Sequence, residues 1–305
     1  MATCKTCGQE IPEEPARVDS QHDLPAQGMP VSHPPLRYHG AKWRISKWII
    51  DMFPPHECYV EPFCGGAAVL FNKIPSQIEV INDLNSDVVT FFDVLRSQPD
   101  AFIRAIELTP FSREVQESAH RAVDDPFQKA LNLYIRCWQS YGVPTGKYNS
   151  GWRFQRTDTR GSSILGEWNR TDHLWHIAER LKSVFIEHDD ASRVIKRFDG
   201  SKTLFYIDPP YPIDVRTGNW AGKAYSDEMT DDDHRELAKL LHAVEGMVFL
   251  SGYQCPLYEE LYSGWTRLEK TTTTNGNNQA IESLWLSPAA VAINRLPLFE
   301  LLEKN

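Results

Sequence analysis

A recurring unit constrains this chain more than any other feature: a short apolar run, bounded by polar or glycine-rich turns, beside a stretch with helical spacing. The runs are Tyr59–Phe63, Ile78–Ile81, Val184–Glu187, Thr203–Ile207 and Met247–Leu250. They are too short for buried helices and rich in β-branched and aromatic residues, so they read as strands. Ahead of the first, Ile45, Trp48, Ile49 and Met52 line one helix face. After the second, Val88, Phe91, Phe92 and Leu95 mark another, capped at Asn85 or Ser86. Thr230 with Asp233 opens a third as a capping box, with Leu237, Leu240, Leu241 and Val244 facing inward. Strands separated by helices must pair in parallel, because a parallel crossover needs a dozen or more residues. Two extended runs at about 265–274 and 280–286, divided by Asn275-Gly276, add an antiparallel edge hairpin. The expected fold is therefore α/β: a Rossmann-like, mostly parallel sheet with helices on its faces and an antiparallel edge.

Residues 100–182 interrupt this alternation. Asp125-Pro126 starts a helix carrying Phe127, Leu131, Tyr134 and Trp138, and a second runs from Thr171 to Leu181. The expected organisation is a core domain over 36–99 and 183–290, an inserted helical subdomain at 100–182, an appendage at 1–35 and a tail at 291–305. The appendage is rich in proline and holds Cys4 and Cys7, half of a zinc knuckle with no second cysteine pair. It reads either as a partly disordered tail or as a segment that takes zinc or a protein partner. The remaining cysteines, Cys58, Cys64, Cys137 and Cys255, read as reduced core fillers. A formal net charge of -9 excludes coating of nucleic acid through bulk positive charge, so any such contact must use local basic patches. No apolar stretch approaches the ~18 residues of a membrane span and no secretory signal opens the chain, so a cytoplasmic location is expected.

The chemistry concentrates where the fourth run stops at Asp208-Pro209-Pro210-Tyr211, the carboxyl end of a strand, where open α/β sheets place ligands. An exocyclic amine on an aromatic ring is a poor nucleophile, because its lone pair is delocalised. Two acceptors that take both of its hydrogens favour a pyramidal nitrogen and return that lone pair. The Asp208 carboxylate and the Pro209 carbonyl can be those acceptors, held ready by two fixed proline φ angles, with Tyr211 to stack on the ring. The plainer alternative is a strand-end turn in which Asp208 caps a helix and Tyr211 packs.

Glu61-Pro62-Phe63-Cys64-Gly65-Gly66 carries the first strand into a glycine turn that lets backbone approach a ligand closely, without the Gly-x-Gly-x-x-Gly cradle of a dinucleotide site. Asp83 ends the second strand, placed to accept hydrogen bonds from ribose hydroxyls or simply to sit at a helix N-terminus. Upstream, Tyr38-His39-Gly40-Ala41-Lys42-Trp43 offers a cation and aromatics. Lys42 can pair with a ligand carboxylate, and Tyr38 or Trp43 can cover an adenine; the alternative is a surface lysine among core aromatics.

Together with Asn82-Asp83-Leu84-Asn85 and the closing Glu282-Ser283-Leu284-Trp285-Leu286-Ser287-Pro288, these segments resemble, in content and order, the Dam-type (D12 class) N6-adenine DNA methyltransferases, particularly phage and prophage members. The likeness covers about residues 36–288. It implies S-adenosylmethionine as cofactor, no metal in the chemistry, and transfer of a methyl group to N6 of an adenine flipped out of double-stranded DNA. It also implies that Lys42, Glu61, Phe63, Gly65 and Asp83 line the cofactor site, with a further acid at Asp190 or its neighbour Asp189. Ala41 replaces the second glycine usual in the first motif. The rivals are methyl transfer to RNA adenine, cytosine N4 or protein glutamine, and a non-catalytic DNA-binding protein with the same fold. A restriction enzyme as companion stays open.

Between Gly142 and Arg170 the acidic chain carries a local positive island: Lys147, Arg153, Arg156, Arg160 and Arg170, with Tyr148, Trp152, Phe154 and Trp168 interleaved. This segment is expected to grip DNA, against the alternative of a solvated loop. The glycine-bearing run from Pro212 to Lys223 is expected to fold over the extruded base.

Overall fold

The computed structural model describes residues 2–3, 10–11, 31–142, 150–156, 163–212, 227–273 and 279–293. Strands β1 (Ala2–Thr3) and β2 (Glu10–Ile11) pair antiparallel near the N-terminus. The core then runs through α1 (Ser46–Ile50), β3 (Cys58–Glu61), α2 (Ala68–Asn72), β4 (Ile78–Asn82) and α3 (Ser86–Ser97). Helices α4 (Pro99–Leu108), α5 (Arg113–Ser118), α6 (Pro126–Gln139), α7 (Ile164–Trp168) and α8 (Asp172–Leu181) follow. The sheet resumes with β5 (Phe185–Glu187), α9 (Ala191–Phe198), β6 (Thr203–Ile207), α10 (Asp231–Ala243), β7 (Met247–Gly252), α11 (Pro256–Leu261), β8 (Thr266–Thr273), β9 (Gln279–Leu286) and α12 (Pro288–Ile293). Every expected strand is present.

The large sheet has the order β5-β4-β3-β6-β7-β9-β8. Strands β5, β4, β3, β6 and β7 are parallel, while β9 lies antiparallel between β7 and β8. This is the mostly parallel sheet with one antiparallel edge that characterises a class I methyltransferase fold. Successive side chains of a strand point to opposite faces, so each central strand feeds two cores. Tyr59, Ile81, Leu204 and Phe249 join one apolar cluster with α3, α4, α6 and α8. Val60, Val80, Phe205 and Val248 join the other, with α9, α10 and α11. The helices of 100–182 thus share a continuous core with one face of the sheet, through contacts of α6 and α8 with α3.

Local signals resolve in detail. Asn85, not Ser86, caps α3 by accepting from the Asp87 N–H, Asp125 caps α6, and the capping box at Thr230 and Asp233 is complete. On α10, Leu237 and Leu241 are buried as expected and half-buried Leu240 and Val244 pack against the same core, while His234 and Ala238 are buried as well. His234 takes the inward place because its ring packs edge-on against Tyr258. Cys64, Cys137 and Cys255 are buried free thiols and Cys58 a half-buried one. Among the described residues no helix is long and apolar enough to cross a membrane.

From β3 the chain steps outward to β4 and β5, then returns to the opposite side of β3 with β6. The connections that follow β3 and β6 leave in opposite directions there, and a crevice opens at the carboxyl ends of the strands. Glu61, Asp83 and Asp208 sit at the ends of β3, β4 and β6, which brings three carboxylates from distant sequence to one place.

Candidate active site

The turn after β3 is built around a close approach. Gly65 has φ +48°, and a Cβ there would lie 2.8 Å from Cδ1 of Tyr38, so glycine is required both by backbone conformation and by space. The Gly65 N–H donates to Asp83 Oδ2 at 2.8 Å, and the Asn85 N–H donates to Oδ1 at 2.9 Å. Asp83 therefore pins the turn to the end of β4; burial raises its pKa despite these bonds. Beside it, Asn82 donates to the carbonyls of Pro62 and Asp189 and accepts from the Asp189 N–H, stitching three strand ends together. Glu61, 2% exposed, accepts the Tyr59 hydroxyl at 2.6 Å and the Leu70 N–H at 2.7 Å, both on Oε1. Burial pushes its pKa up to about 7.

Asp208 caps no helix in the described residues. Lys42 Nζ donates to both of its oxygens at 2.9 Å and to the Gly40 carbonyl at 2.8 Å, in a turn where Gly40 has φ 71°. The Tyr211 hydroxyl donates its one hydrogen to Glu282 on β9 and stands 3.1 Å from Asp208 Oδ1. Lys42 Nζ stands 3.6 Å from Glu282 Oε1 and 5.0 Å from the centre of the Tyr211 ring. That ring is buried and meets Tyr253 edge-on at 4.9 Å. One lysine thus serves two carboxylates over an aromatic floor.

A cleft of about 830 Å³, including its open mouth, joins the two halves. Tyr38, Lys42, Glu61, Phe63, Cys64, Gly65, Gly66, Asp83, Asp208 and Pro210 line it, together with His39, Tyr206, Asp227 and Met229. Trp43, Pro62, Pro209 and Tyr211 pack behind the lining; Pro62, Pro209 and Tyr211 are buried and Trp43 lies against the apolar core. Asp189 and Asp190 stand apart from it. Asp190 caps α9 through the Ser192 N–H, and Asp189 pairs with Arg193 and Arg197. These bonds account for both acids as parts of the β5–α9 junction.

Residues 38–275 match the family described as D12 class N6 adenine-specific DNA methyltransferase. The chain belongs to this family. It is 26% identical over 241 residues to a DNA adenine methylase of Salmonella typhimurium, covering 74% of this chain and 83% of that protein. It is 25% identical over 250 residues to a DNA adenine methylase of Haemophilus influenzae, covering 77% and 84%. With the type II methyltransferase M.MjaIII of Methanocaldococcus jannaschii the figures are 24% over 272 residues, covering 76% and 88%. As a D12 methyltransferase the protein is an enzyme of DNA adenine methylation.

The cleft of this methyltransferase suits S-adenosylmethionine in its hydrogen-bonding groups and apolar surface. Glu61 offers a buried carboxylate whose Oε2 carries none of the bonds described for Oε1. Asp83 keeps lone pairs beyond the two N–H groups it accepts, since a carboxylate has about four acceptor positions. Phe63 and Tyr38 supply apolar surface. Among the described residues no cluster of His, Cys, Asp or Glu could hold a metal ion; Cys4 and Cys7 lie outside them.

On the DNA side, Arg156 is exposed, whereas Arg153 donates to Glu167 at 2.8 Å with a side chain only 16% exposed. An antiparallel bridge between Ser140 and Trp152 sets the base of this segment. Lys147 and Arg160, like residues 213–226 after Asp208-Pro209-Pro210-Tyr211, lie outside the described residues. Sequence reasoning missed Glu282 and Tyr253 as site residues. The Glu282 segment carried the family likeness, yet only the pairing of β9 with β7 reveals that it meets Tyr211.

Proposed function

We propose that the protein transfers a methyl group from S-adenosylmethionine to N6 of an adenine extruded from double-stranded DNA. The observation that carries this reading is the state of Asp208. Each of its oxygens accepts one bond from Lys42, and the Tyr211 hydroxyl, whose single hydrogen goes to Glu282, stands 3.1 Å from Oδ1, so among the described residues an acceptor position remains on Oδ2. That position takes one hydrogen of the amine, and the Pro209 carbonyl takes the other. The nitrogen becomes pyramidal and its lone pair is available for attack. S-adenosylmethionine, when bound, supplies an activated methyl on a sulfonium sulfur. Glu61 holds the donor's ammonium, Asp83 its ribose hydroxyls, and Phe63 and Tyr38 its adenine. Because Lys42 fixes Asp208 before substrate arrives, the acceptor does not have to reorganise during the reaction.

A base inside a duplex cannot reach this crevice, so it must leave the stack, and an aromatic face offsets part of the lost stacking. Half-buried Tyr253 beside Tyr211 provides that face. Arg156, Arg153, Lys147 and Arg160 make phosphate and base-edge contacts in an otherwise acidic chain. Incubation with methyl-labelled cofactor and duplex DNA, followed by digestion to nucleosides, tests the reading. Label is expected in N6-methyldeoxyadenosine, and label confined to N4-methyldeoxycytidine would overturn it.

A further inference from the structure

Glu282 is the one charged member of the Asp208 cluster to which the reaction above assigns no task. It is 5% exposed on β9, one residue before Ser283 pairs with Gly252 at the end of β7. Its carboxylate accepts the Tyr211 hydroxyl and lies 3.6 Å from the Lys42 ammonium. A buried carboxylate is costly unless paired, and here two carboxylates share one lysine, so its charge neutralises only one of them. Lys42 already has both Asp208 oxygens as partners, so its charge does not need Glu282 as a second acid. The surplus negative charge has a chemical use: as methyl passes to it, the amine nitrogen takes on positive charge.

We propose that Glu282 is a positioning residue of the transfer reaction, sharing Lys42 with Asp208 so that one uncompensated negative charge stands beside the amine. The inference rests on the methyl-transfer reading above. If Lys42 served Asp208 alone, the pair would be neutral and Asp208 a weaker acceptor. With Glu282 drawing on the same ammonium, Asp208 keeps more of its charge for the substrate. The groups that face Glu282 are Lys42 from the first motif, Asp208 and Tyr211 after β6, Tyr206 on β6, Tyr253 after β7, and, opposite it on β8, the exposed Lys270, which forms no ion pair with it among the described residues. Burial raises the Glu282 pKa; Lys42 works against this and Asp208 with it. Its ionised, useful form is therefore lost on acidification earlier than that of an ordinary glutamate.

Single-turnover transfer at saturating cofactor and DNA, measured from pH 5.5 to 8.5, tests this in the wild type, Glu282→Gln and Glu282→Asp. Gln keeps an acceptor for the Tyr211 hydroxyl and removes only the charge. The wild-type rate is expected to rise with pH along an acid limb. In Glu282→Gln the limb should vanish and the plateau fall by about 10- to 100-fold, the size of losing one preorganised electrostatic group, with cofactor affinity unchanged within twofold. Glu282→Asp should recover part of the rate and the limb. A wild-type rate or an intact acid limb in Glu282→Gln overturns the proposal. So does lowered thermal stability with an unchanged pH profile, which marks a purely structural role. Asp208→Ala separates the two claims: if that variant is inactive while Glu282→Gln is normal, only the role of Glu282 falls, and if it is active, the transfer reading falls as well.

Discussion

Lys42 and Asp208, 166 positions apart, meet with the ammonium 2.9 Å from both carboxylate oxygens in a setting where Lys42 is 7% exposed. In the proposed reaction this contact makes Lys42 the anchor of the amine's acceptor, where its motif had suggested a partner for a ligand carboxylate.

The first expectation follows from that contact. Lys42→Met leaves Asp208 and Glu282 as neighbouring acids without their shared cation. Breaking a buried pair from one side costs about 3 kcal/mol, and transfer should fall at least about 100-fold while cofactor affinity changes by a few-fold only. Calorimetry with the cofactor checks this; a large loss of affinity with transfer intact would return Lys42 to the ligand carboxylate.

Glu61 makes binding and stability depend on pH in opposite senses. Its folded pKa, about 7, lies above the ordinary value of 4.5, so the folded state holds its proton more tightly than the unfolded chain does. The stability it contributes is fully present at acid pH and is lost as pH rises from about 4.5 through 7. Glu61→Gln, which keeps the acceptor for Tyr59 and Leu70, should therefore gain stability relative to wild type at pH 8, by up to about 3 kcal/mol, and show little difference near pH 4.5. Cofactor binding should run the other way, tightening in the wild type as pH rises through 7 and losing that dependence in the variant. Denaturant titrations and binding isotherms at several pH values read both.

Gly65→Ala tests the turn. A left-handed φ costs a non-glycine residue about 1–2 kcal/mol, and the added methyl meets the Tyr38 ring at 2.8 Å. Stability and cofactor affinity should both fall. Adding Tyr38→Ala should restore part of the stability, because the clash goes while the backbone strain stays. A double-mutant cycle measures this coupling, and strict additivity would contradict the close approach.

Much of this was legible in the sequence. Strands, caps and the glycine turn are local, written in runs of a few residues, and each expected strand formed. What sequence could not show is which partner a side chain finds. The register of β9 against β7 puts Glu282 at Tyr211, and no local pattern carries a pairing between strands of different sequence origin. Tyr211, read as a ring to stack on the base or simply to pack, is buried with Lys42 over its ring and its hydroxyl donating to Glu282. At Asp189 and Asp190 the sequence offers two adjacent acids, and both turn to Arg193, Arg197 and the α9 N-terminus. Arg153 looked as free as Arg156 until Glu167, from α7, came beside it.

That last contrast separates two arginines by experiment. Arg156→Ala should weaken DNA binding across sequences and lower the salt dependence of affinity by about one unit of slope, leaving cofactor binding intact. Arg153→Ala should also reduce thermal stability, since it frees Glu167. Equal effects of the two on both measurements would contradict the structural difference.

Asp208→Ala in a single-turnover assay on duplex DNA, with cofactor affinity measured alongside, tests the central claim most directly. Transfer to adenine N6 is expected to drop at least about 100-fold with cofactor still bound. Transfer at the wild-type rate would contradict the whole account of the acceptor corner.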